Sequence, residues 1–215
     1  MQTLIRSSGF RAWIENSLAT HENVLATSNQ GTLLAYRKNG SALVVKSAMG
    51  PPLLYRVRLA TLRREFSAYQ RLEGLEGIPK CHGMVDNLYL VIDHVEGTSY
   101  RETEWTDREG FFAAFLELIK QFHARGVSHG DLKSKSNIIV TADQRPCIID
   151  FGTAFIQKDG FHPINNRLFE YSRRLDLNAW VKHKYHGRYE AAAEIDRQYL
   201  NYGMLERILR SFRPG

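Results

Sequence analysis

Between residues 22 and 47 the apolar positions come in short runs separated by turn signals. The stretch "HENVLATSNQGTLLAYRKNGSALVVKSA" breaks at Gly31 and at Asn39-Gly40, and Asn-Gly between such runs is a strong hairpin signal. The pattern predicts three antiparallel strands, near 22–28, 32–38 and 41–47. The period then changes. Leu59, Leu62, Phe66, Tyr69 and Leu72 recur at steps of three and four, one face of a helix that Gly74 stops. "CHGMVDNLYLVIDHVEG" predicts two more strands, near 81–86 and 88–95. Residues 20–97 thus read as a five-stranded antiparallel sheet with one helix inserted after the third strand.

From residue 98 the pattern is mostly helical. Thr106-Asp107-Arg108-Glu109 has the form of a capping box, and "FFAAFLELIKQFHARG" after it is an amphipathic helix ending at Gly126. Two runs, Ile138–Val140 and Cys147–Ile149, are too short for helices and predict a small hairpin. Helical periodicity returns from about 167, breaks near His186-Gly187, and predicts a last helix over about 190–212 carrying Arg207, Arg210 and Arg213. The fold class is α+β, with a sheet-rich part at 1–97 and a reduced helical part at 98–215.

Composition narrows the setting. The 215 residues are 43% hydrophobic, enough for one sizeable core or two small ones. No apolar run approaches the roughly 18 residues of a membrane span, and "MQTLIRSSGFRAWIENS" lacks the apolar core of a secretory leader. The two cysteines, Cys81 and Cys147, form no CxxC pair. They fit a reducing compartment, so a cytoplasmic protein is expected. The net charge of +6 suits acidic partners such as nucleotides, anionic lipid headgroups or nucleic acid, or is simply a solvated basic surface.

Several residues carry candidate chemistry. Asp131 follows His129 in "HGDLK", and Asp150 ends an apolar run in "IIDFG". Asp150 and Asn137 offer the hard oxygen ligands that Mg²⁺ prefers, and such sites commonly share substrate phosphates. Lys46 ends "ALVVK", where strand alternation puts Ala42, Val44 and Lys46 on one face. Val44 there suits a purine ring and Lys46 its phosphates. Glu65 lies on the following helix, placed for an ion pair with Lys46. His129 reads as a structural residue behind its loop, and His82, His94 and His123 as ordinary histidines.

With Lys46 in "LVVK", Glu65 in "RREFSAYQRL", "HGDLKSKSN" and "DFG" in this order, the chain resembles the protein-kinase-like superfamily over roughly residues 22–185. The resemblance implies a bilobal fold, ATP, Mg²⁺ or Mn²⁺, and a hydroxyl-bearing acceptor. It assigns Asp131 and Lys133 to catalysis, with Lys135 a weaker candidate, and Asn137 and Asp150 to the metal. Gly31, with Ser28 or Asn29, would cover the phosphates. Ile92 becomes the gatekeeper of a hinge, "LVIDHVEG", whose backbone at Asp93 and Val95 would meet the adenine edge. Asp176 resembles the buried aspartate that braces the catalytic loop.

Departures from the pattern matter. The family places its Asn five positions after the Asp, whereas Asn137 is six after Asp131. Either Ser136 takes the Asn role or the loop carries one inserted residue. Insertion is preferred, since Asn137 directly precedes Ile138-Ile139-Val140 and a surface loop takes an extra residue at small cost. "SNQGTLL" keeps one glycine of three, "HGD" replaces "HRD", and no "APE" follows "DFG". The short plan is similar to small atypical kinases: lipopolysaccharide-core kinases of the Kdo and heptose type, RIO-type kinases, and the small kinase of the KEOPS complex. The implied activity is phosphoryl transfer from ATP to a hydroxyl, with a lipopolysaccharide-core sugar slightly favoured over protein Ser/Thr. A pseudokinase binding module is the alternative. The basic aromatic stretch 180–189, with Lys182, Lys184 and Arg188, suits RNA, an anionic membrane face or a solvated helix end.

Overall fold

The alternation of residues 24–48 is realised as strands. The computed structural model describes residues 2–28, 31–38 and 40–200. It begins with two helices, α1 (Gln2–Ile5) and α2 (Ser8–Thr20), then β1 (Val24–Thr27), β2 (Gly31–Lys38) and β3 (Ser41–Ala48). Helix α3 (Pro52–Arg71) follows, then β4 (Cys81–Val85) and β5 (Tyr89–Asp93). All five strands pair antiparallel in the order β1-β2-β3-β5-β4. The five expected strands are present, and so is the helix after the third. Asn39 of the expected Asn-Gly turn lies outside the described residues.

Period-two alternation gives this sheet two apolar faces. Leu43 and Val45 point to one side with Leu34, Tyr36 and Val91. That side is covered by α2, whose Phe10 and Ile14 are buried against it. Phe10 and Trp13 meet the Tyr36 ring edge-on, at 5.0 and 4.8 Å between centroids. Burying side chains of this size stabilises by roughly 1.5–3 kcal/mol each. Neither α1 nor α2 was expected from the sequence.

Val44 and Lys46 point to the other face, opposite Ile92 and Leu90. There the sheet meets α3, which buries Leu62, Glu65, Ala68 and Tyr69. This second core runs on into the helical part without a break.

That part holds β6 (Thr98–Ser99), α4 (Arg108–Ala124), β7 (Val127–Ser128), β8 (Ile138–Val140), β9 (Pro146–Ile148), β10 (Phe155–Ile156), α5 (Pro163–Lys184) and α6 (Glu194–Arg197). The expected β8–β9 hairpin forms, and β6 adds a third strand to it. β7 pairs with β10. Helix α4 buries Phe111, Phe112, Phe115 and Phe122, and Trp180 of α5 donates its indole N–H to the Phe112 carbonyl at 2.8 Å. Among the described residues no helix is long and apolar enough to cross a membrane.

Two expectations are corrected. The N-cap of α4 is Asp107, whose Oδ1 accepts from the Gly110 N–H at 2.8 Å. Its carboxylate, a strong acceptor for a free helix N–H, takes the place that the capping-box reading gave Thr106. The expected helix over 190–212 does not begin as one: Tyr189–Ala191 is a single tight turn and α6 a four-residue helix. Asp196 of α6 is tied to Tyr185 and Lys184 at 2.6 and 2.8 Å, which folds this segment back on α5. Arg207, Arg210 and Arg213 lie outside the described residues.

Candidate active site

Lys46 on β3 reaches across to α3. Its Nζ is 2.5 Å from Glu65 Oε1 and 3.2 Å from Asp150 Oδ1. The Lys46 and Glu65 side chains are 12% and 4% exposed, that of Asp150 47%. Burial works against the Lys46 charge, but Glu65 and Asp150 outweigh it and hold the ammonium above the ordinary lysine range. Burial pushes the Glu65 carboxyl up, and Lys46 offsets only part of that. Burial also tends to raise Asp150, yet Lys46 prevails and holds it below the usual carboxylate range.

Asp150 stands where β9 ends, in a left-handed conformation with φ +66. Phe151 behind it is fully buried, with Tyr69 of α3 at 5.3 Å and His129 at 4.8 Å between ring centroids. Arg64 of α3 donates to the Gly152 carbonyl. Helix α3 therefore carries Glu65 and also grips the segment that aims Asp150.

The 127–140 segment is braced from below. Asp176 of α5 is fully buried. One of its oxygens accepts from the His129 N–H and from His123 Nε2, at 2.8 and 3.0 Å, and the other from the Gly130 N–H at 2.8 Å. His129 spends both ring nitrogens on backbone: Nε2 donates to the Ile149 carbonyl at 3.0 Å and Nδ1 accepts from the Asp131 N–H at 3.2 Å. Its structural reading holds in this geometry. Gly130 has φ +79, and a Cβ there would lie 3.0 Å from the Thr153 carbonyl oxygen. The glycine of "HGD" thus has a backbone reason.

Turns span the six positions from Asp131 to Asn137. Ser134 N–H bonds the Asp131 carbonyl, and Asn137 N–H bonds the Ser134 carbonyl, each at 3.2 Å. Residues Lys135–Asn137 form one short tight turn of helix. Asn137 is buried, with its Nδ2 on the Asp131 carbonyl at 3.1 Å, and its own carbonyl accepts the Ile149 N–H at 3.0 Å. Ser136 is exposed, and its hydroxyl meets the Ser134 hydroxyl at 2.8 Å and donates to Asn137 Oδ1 at 3.4 Å. Lys46 contacts Asp150, the neighbouring Ile149 N–H bonds the Asn137 carbonyl, and the Asn137 amide bonds the Asp131 carbonyl.

A cavity of about 380 Å³ opens beside Lys46 and Glu65, lined also by Gly31, Arg58, Arg64 and Asp150. That is the size of a small-molecule site. Gly31 closes the β1–β2 turn, where its carbonyl accepts from the Ser28 N–H at 2.9 Å. A Cβ on Gly31 would sit 2.0 Å from the Ser47 carbonyl oxygen, so β3 itself demands glycine here. Asn29 lies outside the described residues.

Val44, Ile92, Asp93 and Val95 do not line this cavity. Val44 and Ile92 face each other across β3 and β5. The Asp93 N–H is already given to the Lys80 carbonyl at 2.9 Å, and its carboxylate pairs with His82 at 2.6 Å. Lys133 is exposed and lines a different cavity, against α5. Sequence reasoning missed Arg64 and Tyr69 as partners of the 150–152 segment. For Tyr69, four positions after Glu65 on the same buried face of α3, that placement was the available signal; exposed Arg64 gave none.

Among the described residues no three His, Cys, Asp or Glu side chains converge as a metal cage. Asp150 has one oxygen on Lys46 and a second carboxylate oxygen beside it, while Asn137 Oδ1 accepts from the Ser136 hydroxyl at 3.4 Å. That donor set fits a Mg²⁺ ion sharing phosphate oxygens.

No protein-family model matches the chain. Over 81 residues it is 31% identical to serine/threonine-protein kinase D of Synechocystis sp. (strain ATCC 27184 / PCC 6803 / Kazusa), covering 35% of this chain and 16% of that protein. Over 88 residues it is 31% identical to serine/threonine-protein kinase cds1 of Schizosaccharomyces pombe (strain 972 / ATCC 24843), covering 36% and 19%. The matches span less than a fifth of the length of either relative. The sequence signal is a distant, partial likeness to protein kinases.

Proposed function

We propose that the chain is an ATP-dependent phosphotransferase that moves the γ-phosphoryl group to a hydroxyl acceptor. The observation that carries this reading is the buried Lys46–Glu65 pair with Asp150 at 3.2 Å, connected through backbone contacts to Asn137 and Asp131. The bilobal division at residue 97 belongs to the same proposal.

In this reading the Gly31 hairpin covers the phosphates and Lys46 contacts them, held in place by Glu65. Val44 and Ile92, outside the cavity beside Lys46, would flank the adenine, whose edge would meet the backbone at Val95, the Asp93 N–H being taken by the Lys80 carbonyl. Asn137 and Asp150 would hold Mg²⁺, which when bound neutralises phosphate charge. Asp131 takes the proton of the acceptor hydroxyl. That oxygen bonds to the γ-phosphorus as the bond to the β–γ bridging oxygen breaks, and ADP leaves with the electron pair. Positioning and charge stabilisation carry most of such a reaction. The acceptor is a hydroxyl of a lipopolysaccharide-core sugar or of a protein Ser/Thr, and the setting is cytoplasmic.

The test is transfer from radiolabelled ATP, with Mg²⁺, to fractionated envelope lipids and soluble protein in parallel. Asp131→Ala is expected to abolish transfer while leaving the melting temperature near that of the parent. Nucleotide binding with no transfer to any acceptor would leave a binding module instead.

A further inference from the structure

Lys133 and Lys182 line one cavity of about 230 Å³, formed between the 130–133 segment and α5. None of the described lining residues is acidic. Neither lysine pairs with a carboxylate among the described residues, whereas the adjacent Lys184 is held by Asp196 at 2.8 Å and Glu109 at 3.4 Å. Leu132 and Ala179 of the same lining are apolar and buried, 1% and 3% exposed. Two cations on one largely apolar concavity, with no carboxylate on its described lining, favour an anion from outside.

The neighbourhood reinforces that sign. His183, beside Lys182 on α5, donates its Nε2–H to the Leu132 carbonyl at 2.7 Å. Burial above all, and then the charges of Lys135 and Lys182, push this imidazole down to about 4. The cavity also lies beside the chain segment that carries the proposed base, although Asp131 is not among its described lining residues. Gly130 and Leu132, on either side of Asp131, both belong to its wall. Its volume falls below the roughly 300–1,000 Å³ of drug-sized ligand sites, which suits one small unit better than a peptide chain.

We propose that this cavity is the acceptor subsite and that it takes a small anionic hydroxyl compound, a phosphomonoester of a polyol or sugar. Lys133 and Lys182 hold the existing anion and leave a free hydroxyl at Asp131. The proposal rests on the phosphotransfer reading. The transfer is the step written above, so the product carries a second phosphoryl group. Lys182, on the basic stretch 180–189, is the residue that this inference adds to the site.

Lysine acylation of the full chain, read residue by residue by mass spectrometry, tests it. Glycerol 3-phosphate is expected to reduce labelling of Lys133 and Lys182 several-fold, while glycerol does not and the remote Lys38 is unaffected. Lys182→Ala removes the protection of Lys133. ATP with Mg²⁺, added separately, protects Lys46 in both proteins. Failure of ATP to protect Lys46 counts against the phosphotransfer reading. Protection of Lys46 by ATP without protection of Lys182 by glycerol 3-phosphate sinks the subsite alone. So does equal protection by glycerol, by inorganic phosphate alone, or at Lys38, and so does stronger protection by an acidic serine peptide.

Discussion

Lys46 and Glu65 stand 2.5 Å apart, one on the inner face of a strand and the other on the buried face of a helix, with 18 residues between them in the chain. A pair so little exposed is sensitive to the loss of one member, because the survivor keeps a buried charge.

Lys46→Met is therefore expected to lower stability by about 3 kcal/mol in urea unfolding. The double variant Lys46→Met/Glu65→Leu should recover most of that loss, and neither protein should bind nucleotide. If the double variant is as unstable as the single one, the uncompensated Glu65 charge is not the cause.

Asp176 supplies both oxygens to the loop that carries Asp131. In Asp176→Ala the N–H groups of His129 and Gly130 lose their buried acceptor, at about 1–3 kcal/mol each. Phosphate transfer should fall together with stability. Asp176→Asn keeps one acceptor and should lie between the parent and the alanine variant in both measurements.

His183 has its folded-state pKa depressed from 6.5 to about 4. The unfolded chain then binds more protons between those values, so stability rises with pH across this window and is lost as pH falls through it. The contribution is on the order of 3 kcal/mol. Thermal melts from pH 7 down to 4.5 should show a slope that His183→Gln flattens, since the Gln amide can still donate to the Leu132 carbonyl. An unchanged slope would place the titration elsewhere.

Gly31→Ala drives a methyl into the Ser47 carbonyl. Separating β2 from β3 at that point should cost about 1–3 kcal/mol and weaken nucleotide binding. A variant with parental stability would mean that the hairpin shifts freely.

The sheet was readable because its strands alternate cleanly. Leu43 and Val45 go one way and Val44 and Lys46 the other, as the period of two requires. Helix α3 was readable from Leu62, Tyr69 and Leu72. The N-terminal helices were missed although Phe10, Ile14 and Ser17 are spaced for one buried face. Their purpose, to cover the outer face of the sheet, is visible only once Leu34 and Val91 are known to need a partner. Strands β7 and β10 are two residues each, too short for any period. At the site, Lys46, Glu65 and Asp150 converge as expected, while Lys133 faces α5. A loop residue's direction depends on turn geometry that spacing alone does not encode. The reason for Gly31 was likewise hidden, because it depends on where β3 passes.

The turn at Lys135–Asn137 changes how kin of this chain should be sought. The Asn137 amide returns to the Asp131 carbonyl across six positions while Ser136 stays exposed, so a search that counts five positions after Asp131 does not register this contact. Alignments that score this return contact, and let the interval float by one, would gather sequences that rigid templates pass over.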